Sequence, residues 1–530
     1  MKFQKKMSTV GILFASISAM VGSGWLFSSL YAAQMAGPAA ILSWVLAGIF
    51  VIIIALTFAE VGSLFPIAGG IANFPYFTHG KLAGFLVGWI SWVSFVVLTP
   101  IEVQAALQYA SNFFPQLMHK TSTGQHITLI GYGTATLFMF ILVFINTIGI
   151  KFMSETNKLF CIWKLIIPSI AIITYFIYAK DFSNLTSPVF GGFAPFGIHG
   201  VFSALAVAGV IFSFNGFQVA ILMAAESKNP QRSIPRAIIG AVIVGTLLYG
   251  FLQFGFLVAI PHSSLLHGWG SISFQGDAGP LAGLAAVIGA AGISSLLYVD
   301  AVIAPMTAGL VYVTSTSRIL YGLSANGYVP KVFSKLNKRG IPIYALWINF
   351  FVGMLAFLPF PGWQAMVAFL SSILVATYAF VPICLISLRK QHPELHRTFR
   401  LPVFYFISYV AFFLCNLMLY WMGFQTMFKL LICVLAGITI YFASLFKKHS
   451  LKRISCLFLK SFWIVFYFTG ITIINLFGSF GEGLNLFPYY SEYLVIAIFS
   501  LITLYLSQKS LITKSESAAN IAHILKENHT

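Results

Sequence analysis

Long apolar runs separated by short polar or basic stretches recur along nearly the whole chain. At about 20 apolar residues per bilayer crossing, these runs predict membrane helices near 9–33, 38–63, 83–114, 127–148, 154–179, 200–224, 237–260, 282–317, 343–361, 363–388, 402–424, 427–446, 457–478 and 492–508. The pattern reads as an all-α integral membrane protein of about fourteen spans. The runs at 83–114 and 282–317 exceed one bilayer thickness, so a tilt, an interfacial extension or a break is expected in each. Residues 1–33 begin basic and turn apolar, as a signal peptide does. The run is longer than an h-region, however, and a second follows directly, which makes it the first span.

Two of the runs are interrupted. The first carries Met20-Val21-Gly22-Ser23-Gly24-Trp25-Leu26-Phe27, and each glycine costs roughly 1 kcal/mol against alanine in a helix interior. A helix that opens there frees N–H and C=O groups that lipid cannot satisfy, so they must face protein, water or a ligand. Close packing of helices through small residues would leave the same trace. The sixth run carries Val210-Ile211-Phe212-Ser213-Phe214-Asn215-Gly216-Phe217-Gln218, with a turn-forming Asn-Gly pair at membrane depth. Paired interruptions about five spans apart are the mark of an inverted-repeat transporter, with its binding site at the breaks.

Composition removes the soluble alternatives. Hydrophobic residues make up 59% of the 530, charged residues only 8%, and the mean hydropathy is +0.91. A net charge of +18 would suit nucleic acid if it clustered on one soluble face, but the basic residues sit in short loops between apolar runs. With the N-terminus inside, the loops assigned to the cytoplasm hold 26 of the 30 Lys and Arg residues, and the outer loops hold Lys120, Lys180 and Lys429. An even number of spans then puts both termini in the cytoplasm. The five cysteines are odd in number, lie in or beside apolar runs and lack C-x-x-C spacing, which gives neither a disulfide framework nor a metal site. Loops 182–199 and 261–279 are Gly-, Pro- and Ser-rich connectors, and the polar tail 510–530 reads as a loose end.

The interruptions also carry a resemblance. Gly22-Ser23-Gly24-Trp25-Leu26-Phe27, the stretch Phe65-Pro66-Ile67-Ala68-Gly69-Gly70 before Tyr76, the exit Glu226-Ser227-Lys228-Asn229-Pro230-Gln231-Arg232-Ser233-Ile234-Pro235, and Ser317-Arg318-Ile319-Leu320-Tyr321-Gly322-Leu323-Ser324-Ala325-Asn326-Gly327 occur in order. Over roughly residues 8–390 this resembles the amino acid–polyamine–organocation (APC) superfamily, and within it Thr99-Pro100-Ile101-Glu102-Val103-Gln104-Ala105-Ala106 is most similar to bacterial aspartate–proton symporters. The resemblance implies the leucine-transporter-like fold. Two inverted five-helix repeats (about 9–179 and 200–388) would form a core over 1–390, extra helices would fill 391–508, and 509–530 would be a cytoplasmic tail. It further implies a bacterial inner-membrane permease. By alignment on the Lys-Asn-Pro exit, Phe212 falls where the family has its aromatic gate, and Gln218 where some arginine-exchanging members carry a glutamate.

Few ionisable residues lie deep within spans, where each costs at least ~2.5 kcal/mol unpaired. Lys164 lies about ten residues into the fifth span, too deep to snorkel easily. The resemblance makes it the proton-coupling group, at the place where sodium-coupled relatives bind an ion; a static counter-ion is the alternative. Thr314, Ser315 and Ser317 are candidate hydroxyls for that site, although such residues in mid-helix usually bond their own backbone. Asp300 and Glu102 are the carboxylates able to face a central cavity, to take a substrate amine, relay a proton or pair with Lys164; a purely structural hydrogen-bonded role is the alternative for each. Glu60 reads as a structural partner of loop cations.

If the first span opens at Gly22-Ser23-Gly24, the half-helix that follows offers N–H groups and a positive dipole end to a carboxylate. Carbonyls freed at Val21 and near Phe212–Asn215 suit an ammonium, leaving the substrate side chain to Gln104, Ser213, Gly216, Gln218 and neighbouring hydroxyls. No arginine within a span is available for a second carboxylate. The expectation is a secondary transporter that imports an amino acid by proton symport within the lipid bilayer, with no cofactor beyond the proton gradient and no nucleic-acid partner. An amino acid antiporter and a transport-dead nutrient sensor are the alternatives. An enzyme would need catalytic His, Asp or Cys clusters, and a primary pump a Gly-x-x-x-x-Gly-Lys-Ser/Thr loop; the chain has neither.

Overall fold

The computed structural model describes residues 7–67, 70–121, 124–148, 150–179, 182–274, 279–358, 362–446, 451–488 and 490–529. Lys2, Lys5, Lys6, Lys180, Lys447, Lys448 and the Ala68-Gly69 pair lie outside the described residues, as do the side chains of Lys120, Lys151, Lys452, Arg453, Lys460 and Cys456.

The first apolar run forms two helices. α1 (Thr9–Met20) begins at Ser8, whose hydroxyl accepts the Gly11 N–H at 3.1 Å, and α2 (Gly24–Ala36) begins after Val21-Gly22-Ser23. Then come α3 (Ala40–Leu64), the short α4 (Gly70–His79), and α5 (Lys81–Ala110), which continues unbroken through Pro100. A hairpin, β1 (Met118–Thr121) and β2 (Gly124–Ile127), leads to α6 (Leu129–Ile148) and α7 (Ile150–Tyr178). The sixth run is divided into α8 (Gly197–Val207), α9 (Val210–Ser213) and α10 (Val219–Leu222). After α11 (Pro230–Ala259), the long run at 282–317 does contain a break: α12 (Pro280–Val287) ends before Gly289, at φ +87°, and α13 (Ala291–Ala325) starts anew. The rest is α14 (Ile343–Leu355), α15 (Gly362–Gln391), α16 (Phe404–Trp421), α17 (Phe424–Phe446), α18 (Leu451–Phe477), α19 (Ser491–Lys509) and α20 (Lys514–His529). Ten helical stretches among the described residues are long and apolar enough to cross a membrane.

α1 lies at the centre, packed on α7, α11 and α13, while α5 packs on α13 and α15. α15 is buried over nearly its whole length, whereas Leu137, Phe144, Ile166, Ile173, Ile432 and Leu501 of the outer helices are exposed. Such faces suit acyl chains, which are as apolar as the side chains themselves. Two buried carboxylates tie helix ends together. Glu226 pairs with Arg318 at 2.6 Å, and Glu60 with Arg389 at 2.6 Å and Arg397 at 3.2 Å, which confirms Glu60 as a partner of basic residues. Arg318, assigned by the sequence to a loop, sits inside α13 and is buried. Ahead of α1, Met7 pairs by its backbone with the segment after α10: Met7 N–H donates to Glu226 O and Lys228 N–H to Met7 O, both at 2.9 Å.

The tail is not loose. α20 packs on α4, burying Ile521 and Ile524. Ile512 N–H donates to Thr78 O at 3.1 Å, Gln391 Nε2 to Ile512 O at 2.7 Å, and Asn520 Nδ2 to Tyr76 O at 3.2 Å. Polarity of composition hid this, because the docking rests on a few isoleucines and on backbone groups.

Candidate functional site

A helix that stops leaves its last four carbonyls and, where the next begins, four N–H groups without helical partners. At the end of α1 each of three successive carbonyls is met from a different helix. Lys164 Nζ of α7 donates to Ser18 O at 2.7 Å and to Ser18 Oγ at 3.2 Å, Tyr312 Oη of α13 to Ala19 O at 2.5 Å, and Tyr249 Oη of α11 to Met20 O at 2.9 Å. At the start of α2, Ser23 N–H donates to Glu102 Oε2 of α5 at 2.7 Å. The Gly24 and Trp25 N–H groups have no partner among the described residues. An ammonium thus caps the negative end of α1 and a carboxylate the positive end of α2, the favourable sense of both half-helix dipoles. Lys164 and Glu102 are 0% and 1% exposed, so neither charge is screened by water.

Space at the break is as restricted as charge. A Cβ on Gly22 would lie 2.5 Å from Glu102 Oε1, and one on Gly24 would run into Ser213 Oγ. Glu102 Oε1 itself has no hydrogen-bond partner among the described residues. Trp363, at the start of α15, donates from Nε1 to Ser23 Oγ at 2.8 Å, stacks on Phe27 at 4.7 Å and meets Phe212 edge-on at 5.8 Å. Val21 and Phe212 are buried in the same place.

The second interruption faces the first. Its chain turns twice: at Gly209, in the left-handed region at φ +85°, and again over 214–218, where Gly216 has φ +125°. A Cβ on Gly216 would lie 2.6 Å from Met20 N, so only glycine lets the two breaks meet. Asn215 is held on three sides: Gln218 Nε2 and Tyr378 Oη donate to its Oδ1 at 2.5 and 3.0 Å, and its Nδ2 donates to Tyr312 Oη at 3.3 Å. Gln218 Oε1 accepts the Gly216 N–H at 3.0 Å. Ser213 donates to Gly209 O at 2.9 Å and lies 3.4 Å from Ser28 Oγ.

The structure therefore brings together Val21, Gly22, Ser23, Gly24, Glu102, Lys164, Phe212, Ser213, Asn215, Gly216 and Gln218. Asp300 stands behind Lys164: Trp163 Nε1 donates to its Oδ1 at 2.6 Å, Oδ2 has no partner among the described residues, and both Asp300 and Glu102 act on the Lys164 charge. Gln104 is buried on α5 but points about 200° around the helix from Glu102 and makes none of these contacts. Thr314 and Ser315 do not join Lys164 either. Thr314 bonds Asn146 Oδ1, and Ser315 donates to its own Val311 O at 3.0 Å. Ser317 donates to Thr314 O at 2.7 Å and accepts from Arg318. The group that meets Lys164 is Ser18, which the sequence had not singled out. Trp363, Tyr249, Tyr312 and Tyr378 were also missed; their signal is a hydrogen-bonding aromatic within or at the edge of an apolar run, which reads as core.

The amino acid permease family model matches residues 7–440. The chain belongs to that family. It is similar to the glutamate/serine transporter AimA of Bacillus subtilis, 35% identical over 94% of this chain and 93% of that one. It is likewise similar to the aspartate-proton symporter of the same organism, 34% identical over 95% and 96%. The branched-chain amino acid permease BcaP of that organism is 28% identical over 84% of this chain. The family and these relatives are transporters, not enzymes, and this chain is a multi-pass membrane permease.

Proposed function

We propose that the chain imports an amino acid by proton symport through alternating access, with the break at Val21–Ser23 as the binding centre. The observation that carries this is the charge pair at the break: Lys164 on the carbonyl end and Glu102 on the N–H end. An amino acid carries the same two charges on one small molecule. Its carboxylate fits the Ser23, Gly24 and Trp25 N–H groups, and its ammonium the carbonyls near Val21 and Phe212. To admit the carboxylate, Glu102 must give up the Ser23 N–H, which it does at least cost by taking a proton. Lys164 then becomes the group that passes charge between proton and substrate, with Asp300 behind it. Phe212 and Trp363 close over the substrate.

Similarity to a glutamate/serine transporter and an aspartate-proton symporter favours small polar or acidic side chains. With no arginine at the break, Ser28, Ser213 and Gln218 supply neutral donors for them. In this reading α1 with α2, and α8 with α9 and α10, are each one crossing, which gives fourteen crossings in two inverted five-helix repeats plus four. Both termini then lie in the cytoplasm of a bacterial cell, under its inner membrane, and the proton gradient is the sole driving force.

The test is uptake of radiolabelled glutamate, aspartate and serine into proteoliposomes, with and without an inward proton gradient, for the wild type and Lys164→Ala. Uptake should follow the gradient and lose that dependence in the variant. Uptake indifferent to both would overturn symport, and uptake that requires preloaded internal amino acid would mean exchange.

A further inference from the structure

Where α15 ends and α16 begins, two cations share one anion and a third cation, Arg400, stands beside them. Glu60, 0% exposed, accepts from Arg389 Nε at 2.7 Å, Arg389 Nη2 at 2.6 Å and the Leu401 N–H at 2.7 Å, and pairs with Arg397 at 3.2 Å. Its capacity is filled. Burial holds the Arg397 guanidinium below its ordinary range; Glu60 works against that, and the Arg389 and Arg400 charges add to it. Arg400 therefore stands near two like charges, with no ion-pair partner among the described residues. The remaining carboxylate of the connecting loop, Glu394, is taken by Lys514 at 3.2 Å and His392 at 3.3 Å.

Beside this excess charge lies a cavity of about 570 Å³ lined by Arg389, Arg400, Phe404 and Tyr405, among others. The Arg389 guanidinium lies 4.2 Å over the Phe404 ring, which fixes its plane. The rim is apolar: Val403, Tyr405 and Phe406 are 73%, 58% and 64% exposed, at the first turn of a membrane-crossing helix. We propose that this cavity binds the phosphate group of an anionic phospholipid. Arg400 and the free edge of Arg389 hold the phosphate, and the glycerol backbone and acyl chains cover Val403, Tyr405 and Phe406. Guanidinium groups bind phosphate oxygens in pairs, and basic pockets beside membrane helices select anionic headgroups. A free anion would answer the charge but leave the aromatic rim bare.

Native mass spectrometry of the full-length protein in detergent tests this, with phosphatidylglycerol, phosphatidylcholine and inorganic phosphate titrated separately. One phosphatidylglycerol should be retained per chain, in preference to phosphatidylcholine. Arg400→Gln should weaken that retention at least tenfold, whereas Lys335→Gln, in another basic loop, should not. Tyr405→Ser leaves every ion pair in place and should also weaken it, so the result does not depend on the arginine variant folding. Equal retention of both lipids, or unchanged retention in both Arg400→Gln and Tyr405→Ser, would overturn the proposal. Displacement of the lipid by millimolar inorganic phosphate would reassign the cavity to a soluble anion.

Discussion

Glu102 and Gly24 are the two residues on which the site turns most directly. Glu102→Gln keeps the shape of the side chain and removes its titration. Exchange of external for internal substrate should persist in this variant while proton-driven accumulation is lost, read as counterflow against uptake in the same liposomes; accumulation at the wild-type level would release Glu102 from the coupling role. Gly24→Leu should abolish substrate binding while insertion and folding remain, because its side chain must occupy the space of Ser213. Retained affinity would make the triplet a packing feature only. Trp363→Phe removes one buried hydrogen bond to Ser23, worth about 1 kcal/mol, so a roughly fivefold rise in KM is expected. At this scale the glycines and Lys164 could be read from the sequence because each is costly where it stands. Tyr249, Tyr312 and Trp363 could not, since an aromatic ring in an apolar run looks the same whether its polar atom caps a carbonyl or merely fills space. The hydroxyls of Thr314 and Ser315 were read toward an ion site, but nearer acceptors on their own helix and on Asn146 won.

Among the elements, the pairing of α4 with α20 makes the clearest claims. Burial of Ile521 and Ile524 contributes about 1.5–3 kcal/mol each before ordering costs, so deletion of 514–529 should lower the apparent melting temperature and speed hydrogen exchange in α4. An unchanged exchange pattern would reduce the docking to incidental contact. His79, at the end of α4, lies between Thr78 Oγ1 at 2.7 Å and Ser507 O at 3.2 Å. Since a carbonyl only accepts, Nε2 carries the proton and Nδ1 accepts. Burial lowers this imidazole from 6.5 to about 4, the Ser507 hydrogen bond working the other way. A depressed pKa means that the loosened state binds the proton more tightly, so the contact is at full strength above pH 6.5 and weakens as pH falls toward 4. Hydrogen exchange in α4, corrected for intrinsic rates, should rise between pH 7 and pH 5, and His79→Gln should flatten that rise. The long apolar helices were legible from their runs and the break at Asn215-Gly216 from its turn chemistry, but α4 and α20 were not, since neither is a long apolar run. The break at Gly209 was not, because a single glycine in Val207-Ala208-Gly209-Val210 is tolerated inside a helix as readily as it ends one.

For the whole molecule, the apolar runs and the Lys and Arg spacing carried the all-helical membrane class and the motifs carried the family, since each lies in local sequence. What brings α1 against α7, α11 and α13 lies in no local stretch. If substrate binds only the folded bundle, glutamate, aspartate or serine at 100 times its Kd should stabilise the detergent-purified protein by about 2.7 kcal/mol, and Lys164→Ala should reduce the accompanying rise in melting temperature. The backbone pairing of Met7 with Glu226 and Lys228 has a mechanical sense as well. It sews the start of one interrupted helix to the exit of the other, while the Glu226 side chain reaches to Arg318 on α13. The two interrupted helices are therefore geared at this end, and Glu226 is the tooth they share with α13. Spin labels at Met7 and Lys228 should keep one separation throughout the transport cycle, whereas a label on α13 beside Arg318 should shift against both when that end of the protein opens.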